Sequence, residues 1–210
     1  MKRVINLDNW NRKEHFKFFS ALDDPFWGIT MTVDFTSIYQ QSKNMEVSFF
    51  LYSVHFLLKC INATTAFKLR IENGEVVEYD KINISPTIGR EDGTFGFGFF
   101  EYDTDLSLFI ENAEKEIHRV KNSTGLSFSK DTARADVIRY SALPWFAFSE
   151  MKHAGSIQTG DSIPKISTGK LIQEKKRLLL PISISVHHGL VDGRNAVSYT
   201  HLTLPTNSRV

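Results

Sequence analysis

The stretch LPISISVHHGLVDG, from Leu180 to Gly193, combines a strand pattern with two adjacent histidines. Apolar and small polar residues alternate from Ile182 to Val186, a pattern typical of a β-strand with one buried face. His188 has the parity of the apolar residues, and His187 has the parity of the serines. Gly189 then lets the backbone approach another segment closely. The stretch therefore predicts a buried strand that ends on two adjacent imidazoles.

Three interpretations of this histidine pair stay open on these residues alone. An imidazole at a strand end can act as a general base, because its pKa lies near neutrality. A metal site would need further ligands, and His15, His55, His118 and His153 show no ligand spacing. The third interpretation is a packed pair with no chemistry, which is the more common role of a histidine at a strand end.

Composition narrows the classes of protein. The 210 residues suffice for one domain with a substantial core. The 25 basic and 24 acidic side chains nearly balance, which argues against nucleic acid as the main partner. The 17 phenylalanines predict a core and a pocket walled by aromatic rings. Cys60 is the single cysteine, so no internal disulfide forms, and the charged N-terminal segment does not resemble a signal peptide. We expect a cytoplasmic protein with no membrane span.

Helix and strand patterns follow one another along the whole chain without a repeat or a dividing linker. We predict one domain over 1–197 of the α+β class, a two-layer sandwich in which a mixed β-sheet is flanked by helices. Helices are predicted over 9–22 (capped by Asn9 or Asn11), 46–63 and 105–121. Strands are predicted over 27–36, 84–89, 94–102, 137–141, 145–148, 165–173 and 177–188, with a hairpin that turns at Asn73-Gly74.

A family resemblance rests on four segments. VHHGLVDG (186–193) resembles the His-His-x-x-x-Asp-Gly signature of the type A chloramphenicol acetyltransferases, and NWNRKEHF (9–16), INATTAFKLRIENGEVVEYD (61–80) and SALPWFAF (141–148) resemble the same family. Ser141 lies 47 residues before His188, as the corresponding serine does in that family. The resemblance implies the fold of CoA-dependent acyltransferases. It also implies transfer of an acetyl group from acetyl-CoA, as co-substrate, to a hydroxyl of chloramphenicol, without a metal.

The resemblance implies roles for five residues. His188 would be the general base, with its other ring nitrogen held by a backbone carbonyl. Asp192 would pair with Arg12 and brace the site, because a planar guanidinium meets a carboxylate with two hydrogen bonds. Ser141 would donate a hydrogen bond to the oxyanion of the tetrahedral intermediate. Ser167 would help to hold that intermediate through water.

Binding residues follow from the same resemblance. Phe18, Phe19, Trp27 and Phe95 match positions that line the acceptor pocket, and Lys170 matches a lysine that approaches CoA. Phe19 stands where a tyrosine often sits, and Trp27 replaces a smaller ring. Family members are trimers with active sites between subunits. We therefore expect a homotrimer whose other partners are small molecules.

The end of the chain departs from the family pattern. A helix is expected after Gly193, but the threonines and the proline of RNAVSYTHLTLPTNSRV disfavour a long one. We interpret 198–210 as an atypical tail outside the fold. Ser48 replaces a second lysine of the family, which predicts looser recognition of the CoA 3′-phosphate unless Lys43 substitutes for it. Two alternatives stay open: transfer to a different hydroxyl acceptor, and an inactive homologue that only binds CoA.

Overall fold

The computed structural model describes residues 1–155 and 160–195. Four α-helices lie in these ranges: α1 (Lys13–Ser20), α2 (Thr36–Asn44), α3 (Phe49–Ala63) and α4 (Leu106–Lys121), with short 3₁₀ helices at Leu7–Asn9 and Thr65–Lys68. The strands described are β1 (Lys2–Val4), β2 (Phe26–Asp34), β3 (Leu69–Glu72), β4 (Glu75–Tyr79), β5 (Asn83–Gly89), β6 (Phe95–Phe97), β7 (Val137–Ala142), β8 (Lys165–Thr168), β9 (Ile172–Glu174) and β10 (Arg177–His187).

The main sheet is mixed. Its strand order is β2-β10-β8-β7-β5-β6, and β9 pairs with β10 beside this path. β5, β7 and β8 run parallel to one another, whereas β10 is antiparallel to both β2 and β8. A smaller antiparallel sheet has the order β1-β4-β3. The predicted α+β class with a mixed sheet and helices is confirmed.

The two faces of the main sheet differ in chemistry. Residues paired across strands share a face, so Tyr140, Ile166 and Ile184 lie on one side. That side belongs to the buried core, which also contains residues of α2, α3 and α4. Ser141, Ser167 and other residues of the opposite parity form the second face, which is polar. Polar chemistry is therefore concentrated on the face turned away from the core.

Several predicted elements are confirmed. The most apolar segment forms α3, where the Ser48 side chain accepts a hydrogen bond from the Leu51 N–H at the helix N-terminus. Asn73 and Gly74 both have positive φ, at 51° and 81°, as a two-residue hairpin turn requires. The alternating stretch forms the long strand β10 next to the centre of the sheet.

Other predictions are wrong. The first helix is shorter than predicted, and Arg12 rather than Asn9 or Asn11 occupies its N-cap position. α2 was not predicted, because its sequence is polar and only Ile38 and Ser42 are buried. No strand forms over 145–148, since the chain turns after Pro144 and leaves Trp145 73% exposed. The tail 198–210 lies outside the described residues, so the 1–197 boundary stays a prediction.

Candidate active site

His188 lies in the turn that follows β10, under a cover of aromatic rings. Its backbone N–H donates to the carbonyl of Pro25 at 2.8 Å. Phe19, from the last turn of α1, stacks on the imidazole with ring centroids 3.9 Å apart and an interplanar angle of 26°. Trp27 of β2 lies tilted at 5.5 Å, and its Nε1 donates to the carbonyl of Val191 at 2.9 Å. The rings therefore define the plane of the imidazole.

The predicted backbone partner of the His188 ring is wrong for this structure. Nδ1 is buried and has no hydrogen-bond partner within the part of the chain described. The imidazole is held instead by its ring contacts with Phe19 and Trp27. Aromatic stacking of this kind fixes the orientation of a ring without choosing which nitrogen carries the proton.

Arg12 and Asp192 pair as predicted, but with a different geometry. Arg12 Nη1 donates to Asp192 Oδ2 at 2.5 Å, while Nη2 donates to the backbone carbonyl of His188 at 3.1 Å. The two arms of the guanidinium therefore hold two different groups instead of one carboxylate. Burial raises the pKa of Asp192, but hydrogen bonds from the Asn195 N–H and from Arg12 outweigh it and lower the pKa overall. Asp192 is thus a stable anion that anchors Arg12.

His187 has a different environment from its neighbour. Its ring is buried, and Nδ1 accepts a hydrogen bond from the Gly189 N–H at 3.2 Å. Burial is the main reason that the pKa of His187 is lowered to about 4, so the ring is neutral at neutral pH. His187 borders a cavity of about 980 Å³ that His188 and Ser141 do not line. Its burial and its hydrogen bond with Gly189 fit a role in packing.

Ser141 and Ser167 are brought together on the polar face. They are register partners on the parallel strands β7 and β8, which sets their Cα atoms about 5 Å apart. Thr87 Oγ1 donates to Ser141 Oγ at 3.1 Å, which leaves the hydrogen of Ser141 free to donate to a ligand. Ser167 is fully buried, and its Oγ lies 3.0 Å from His153 Nε2.

A cavity of about 470 Å³ opens over these two serines. This volume falls within the usual range of small-molecule sites. The sequence did not single out most of its walls, which include Thr87, Phe97, Phe128, Arg139, His153 and Lys165. Strand parity with Ser141 is the signal that indicates Arg139, whereas Phe128 and His153 lie outside the strands and carry no such signal.

Three other candidate residues, Phe18, Phe95 and Lys170, are exposed and have no recorded contact with His188 or Ser141. Phe18 is 64% exposed and contacts Phe19 edge-on at 5.2 Å. Phe95 is exposed on β6, where its ring contacts Phe97 at 5.8 Å. Lys170 is exposed just beyond the end of β8 that carries Ser167, and its backbone N–H donates to the Phe146 carbonyl. Only Phe19 and Trp27 of the predicted acceptor residues therefore touch His188.

Within one chain, His188 and Ser141 do not meet. Ser183 is level with Ser167 and Ser141 across the sheet, and His188 lies five residues further along the chain. Two strand spacings and this advance along β10 separate His188 from Ser141 by roughly 15–20 Å. The base and the oxyanion donor thus belong to two half-sites: one around His188 and one around Ser141.

The described residues contain neither a metal-binding cluster nor a membrane-spanning helix. In residues 1–155 and 160–195, no group of three or more His, Cys, Asp or Glu side chains is arranged to hold a metal ion. No helix in the same ranges is long and apolar enough to cross a membrane.

The fold is shared with known acyltransferases. A probable dihydrolipoamide acetyltransferase from Listeria monocytogenes superposes with a TM-score of 0.66 at 12% identity, covering 95% of this chain and 91% of that one. A solved chloramphenicol acetyltransferase superposes with a TM-score of 0.88 at 29% identity, covering 96% of this chain and 97% of that one. The fold is therefore that of the CoA-dependent acyltransferases.

Sequence comparison narrows the class to one family. The family model described as chloramphenicol acetyltransferase matches residues 2–201. Chloramphenicol acetyltransferase 3 of Escherichia coli is 27% identical over 190 residues, covering 90% of this chain and 89% of the relative. Chloramphenicol acetyltransferase 2 of Haemophilus influenzae is 24% identical over 196 residues, or 93% and 92% of the two chains. The chain belongs to the chloramphenicol acetyltransferase family.

Proposed function

We propose that this protein transfers the acetyl group of acetyl-CoA to a hydroxyl of chloramphenicol and so inactivates the antibiotic. The observation that carries the proposal is the arrangement around His188, whose imidazole is fixed by Phe19 and Trp27 and whose carbonyl is fixed by Arg12. A general base must be held in one orientation to take a proton efficiently. Family membership supplies the reaction in which such a base is used.

The proposed reaction balances with these side chains. His188 takes the proton of the acceptor hydroxyl while its oxygen attacks the thioester carbon of acetyl-CoA. Ser141 donates a hydrogen bond to the oxyanion that forms, supported by the hydrogen bond that it accepts from Thr87. The carbon–sulfur bond then breaks, and the CoA thiolate recovers the proton from the imidazolium. Acetyl-CoA is thus a co-substrate, and no step needs a metal.

The remaining proposed site residues support this centre. Asp192 anchors Arg12, and Arg12 fixes the backbone of His188. Ser167 is next to Ser141, where the family resemblance gives it a contact with the intermediate through water. Exposure of Lys170 at the Ser141 end of β8 is compatible with the predicted contact to CoA.

We further propose that the active site forms between copies of the chain, as in a homotrimer. The separation of His188 from Ser141 within one chain supports this, because one reacting centre must touch both groups. A neighbouring copy can present its own Ser141 half-site to His188. The exposed side chains of Phe18 and Ile29 lie on the elements that carry Phe19 and Trp27, and they offer apolar surface for such contact.

Two alternatives remain distinct proposals. Trp27 narrows the space beside His188 relative to a smaller ring, and Phe19 lacks the hydroxyl of a tyrosine. These two differences favour transfer to a hydroxyl compound other than chloramphenicol, by the same chemical reaction. An inactive homologue that binds CoA would keep the fold and lose turnover. The cytoplasmic location expected from the sequence also stays a prediction.

Release of the free CoA thiol tests the proposal. The purified full chain is incubated with acetyl-CoA, with and without chloramphenicol, and the same is done for His188→Ala. Thiol release that needs both chloramphenicol and His188 is the expected result. Release with another alcohol only would support the different acceptor, and binding of CoA without any release would support the inactive homologue.

A further inference from the structure

The cavity over Ser141 and Ser167 has a charged wall that the proposed reaction does not use. Arg139, Lys152 and Lys165 line it, and no Asp or Glu is among the described residues that do so. The general base and the oxyanion donor need none of these three cations. Three cations at one small-molecule cavity attract a ligand that carries negative charge.

Two of the cations have a fixed position relative to the serines. Arg139 and Lys165 are register partners on β7 and β8, two residues before the partners Ser141 and Ser167. Residues two apart on a strand share a face and lie about 7 Å apart. The backbone of the two cations therefore lies about 7 Å along the strands from the backbone of the two serines.

The positive charge is only partly neutralised. Asp161 Oδ2 lies 3.5 Å from Arg139 Nη1 and 3.2 Å from Lys165 Nζ, so one carboxylate oxygen serves two cations. Lys152 is exposed and has no ion pair with any residue in the described ranges. Burial lowers the pKa of His153 in this cavity, and the charge of Lys165 lowers it further. His153 therefore adds no charge at neutral pH, and the net positive charge of the wall comes from Arg139, Lys152 and Lys165 against the carboxylate of Asp161.

We propose that this pocket selects acceptors that carry, besides the hydroxyl that is acetylated, an anionic group such as a carboxylate. Arg139 is the residue that recognises the anion, because its side chain is 54% exposed and its contact with Asp161 is long. The inference rests on the proposed acetyl transfer, keeps chloramphenicol as an acceptor and adds a preference for acceptors that are anions. Neutral chloramphenicol is then a weaker ligand than an anionic alcohol of suitable length.

A matched pair of small alcohols tests this selection. 4-(Hydroxymethyl)benzoate and 4-(hydroxymethyl)benzamide have nearly the same shape, and only the first is an anion. Calorimetric binding to the full chain, without acetyl-CoA, should favour the benzoate by about tenfold, and added salt should reduce this preference. Arg139→Gln should abolish the preference. The control Arg177→Gln, which removes an exposed arginine paired with Glu174, should keep it.

Three results would overturn the inference: equal binding of the two alcohols, tighter binding of the benzamide, or a preference that survives in Arg139→Gln. The CoA phosphates are the other source of anionic groups. A raised KM for acetyl-CoA in Arg139→Gln, with the benzoate preference intact, would assign the cations to CoA and overturn the inference too. Because binding is measured without acetyl-CoA, a benzoate preference without thiol release would contradict the proposed function alone.

Discussion

Arg12 Nη1 holds the carboxylate of Asp192 at 2.5 Å, and the same guanidinium holds the backbone carbonyl of His188 through Nη2 at 3.1 Å. Asp192 follows His188 by four residues, so Arg12 closes the turn between them across 176 residues of sequence. The proposed base is thus positioned by a side chain from the beginning of the chain. The carboxylate acts on His188 through the backbone and not through its ring.

Replacement of Arg12 should reduce turnover through the position of His188. Arg12→Lys can keep the ion pair with Asp192 but cannot also hold the carbonyl, because an ammonium lacks the planar fork. We expect kcat to fall by about tenfold with little change in KM for acetyl-CoA, the loss that one charge-assisted hydrogen bond predicts. Steady-state kinetics of thiol release checks this, with the exposed Arg177→Lys as control. A change in KM alone would contradict the positioning role.

The two adjacent histidines should differ sharply in their effect. His188→Ala should abolish turnover while the thermal unfolding midpoint stays near that of the wild type. His187→Ala should retain measurable turnover and lose stability, because His187 is buried and accepts the Gly189 hydrogen bond. Equal losses of activity in the two variants would refute this assignment.

Thr87 should affect turnover only through its hydrogen bond to Ser141. Ser141→Ala should lower kcat by about a hundredfold or more, the usual effect of removing an oxyanion donor. Thr87→Val keeps the shape and removes only the hydrogen bond to Ser141, so a loss of several-fold is expected. In the Ser141→Ala background, Thr87→Val should have almost no further effect on kcat. Additive losses would show that Thr87 acts elsewhere.

The buried His187 makes stability depend on pH. Its pKa falls from 6.5 to about 4 on folding, chiefly because burial penalises the charged ring, so the unfolded chain binds the proton more readily. The stabilisation is complete above pH 6.5 and is lost as the pH falls towards 4, by about 3 kcal/mol in total.

Urea unfolding across this pH range measures the effect. His187→Asn keeps an acceptor for the Gly189 N–H and cannot titrate, so its free energy of unfolding should fall less with acid than that of the wild type. His118→Asn, which removes an exposed histidine of α4, should behave as the wild type. An unchanged pH dependence in His187→Asn would contradict the shifted pKa.

Local sequence patterns predicted the elements whose periodicity was strong. The alternation of residues before His187 indicates a strand with a buried face, and the apolar run of α3 indicates a buried helix. Both β10 and α3 could therefore be predicted from the sequence. α2 could not be predicted, because a polar helix with few buried positions has only a weak helical periodicity of apolar residues. The family resemblance implied that Arg12 and Asp192 pair, but not that Arg12 also holds the carbonyl of His188. The His153–Ser167 contact joins a loop to a strand, and no local pattern encodes it.

Mixing two inactive variants tests whether His188 of one copy and Ser141 of another form one active site. His188→Ala and Ser141→Ala are each purified, then unfolded and refolded together in equal amounts, and chloramphenicol-dependent thiol release is measured. If the site forms between copies, random assembly should restore about one quarter of wild-type activity, because one pairing in four joins an intact His188 to an intact Ser141. If both groups act within one chain, the mixture should be as inactive as its components, and that result would refute an active site shared between copies.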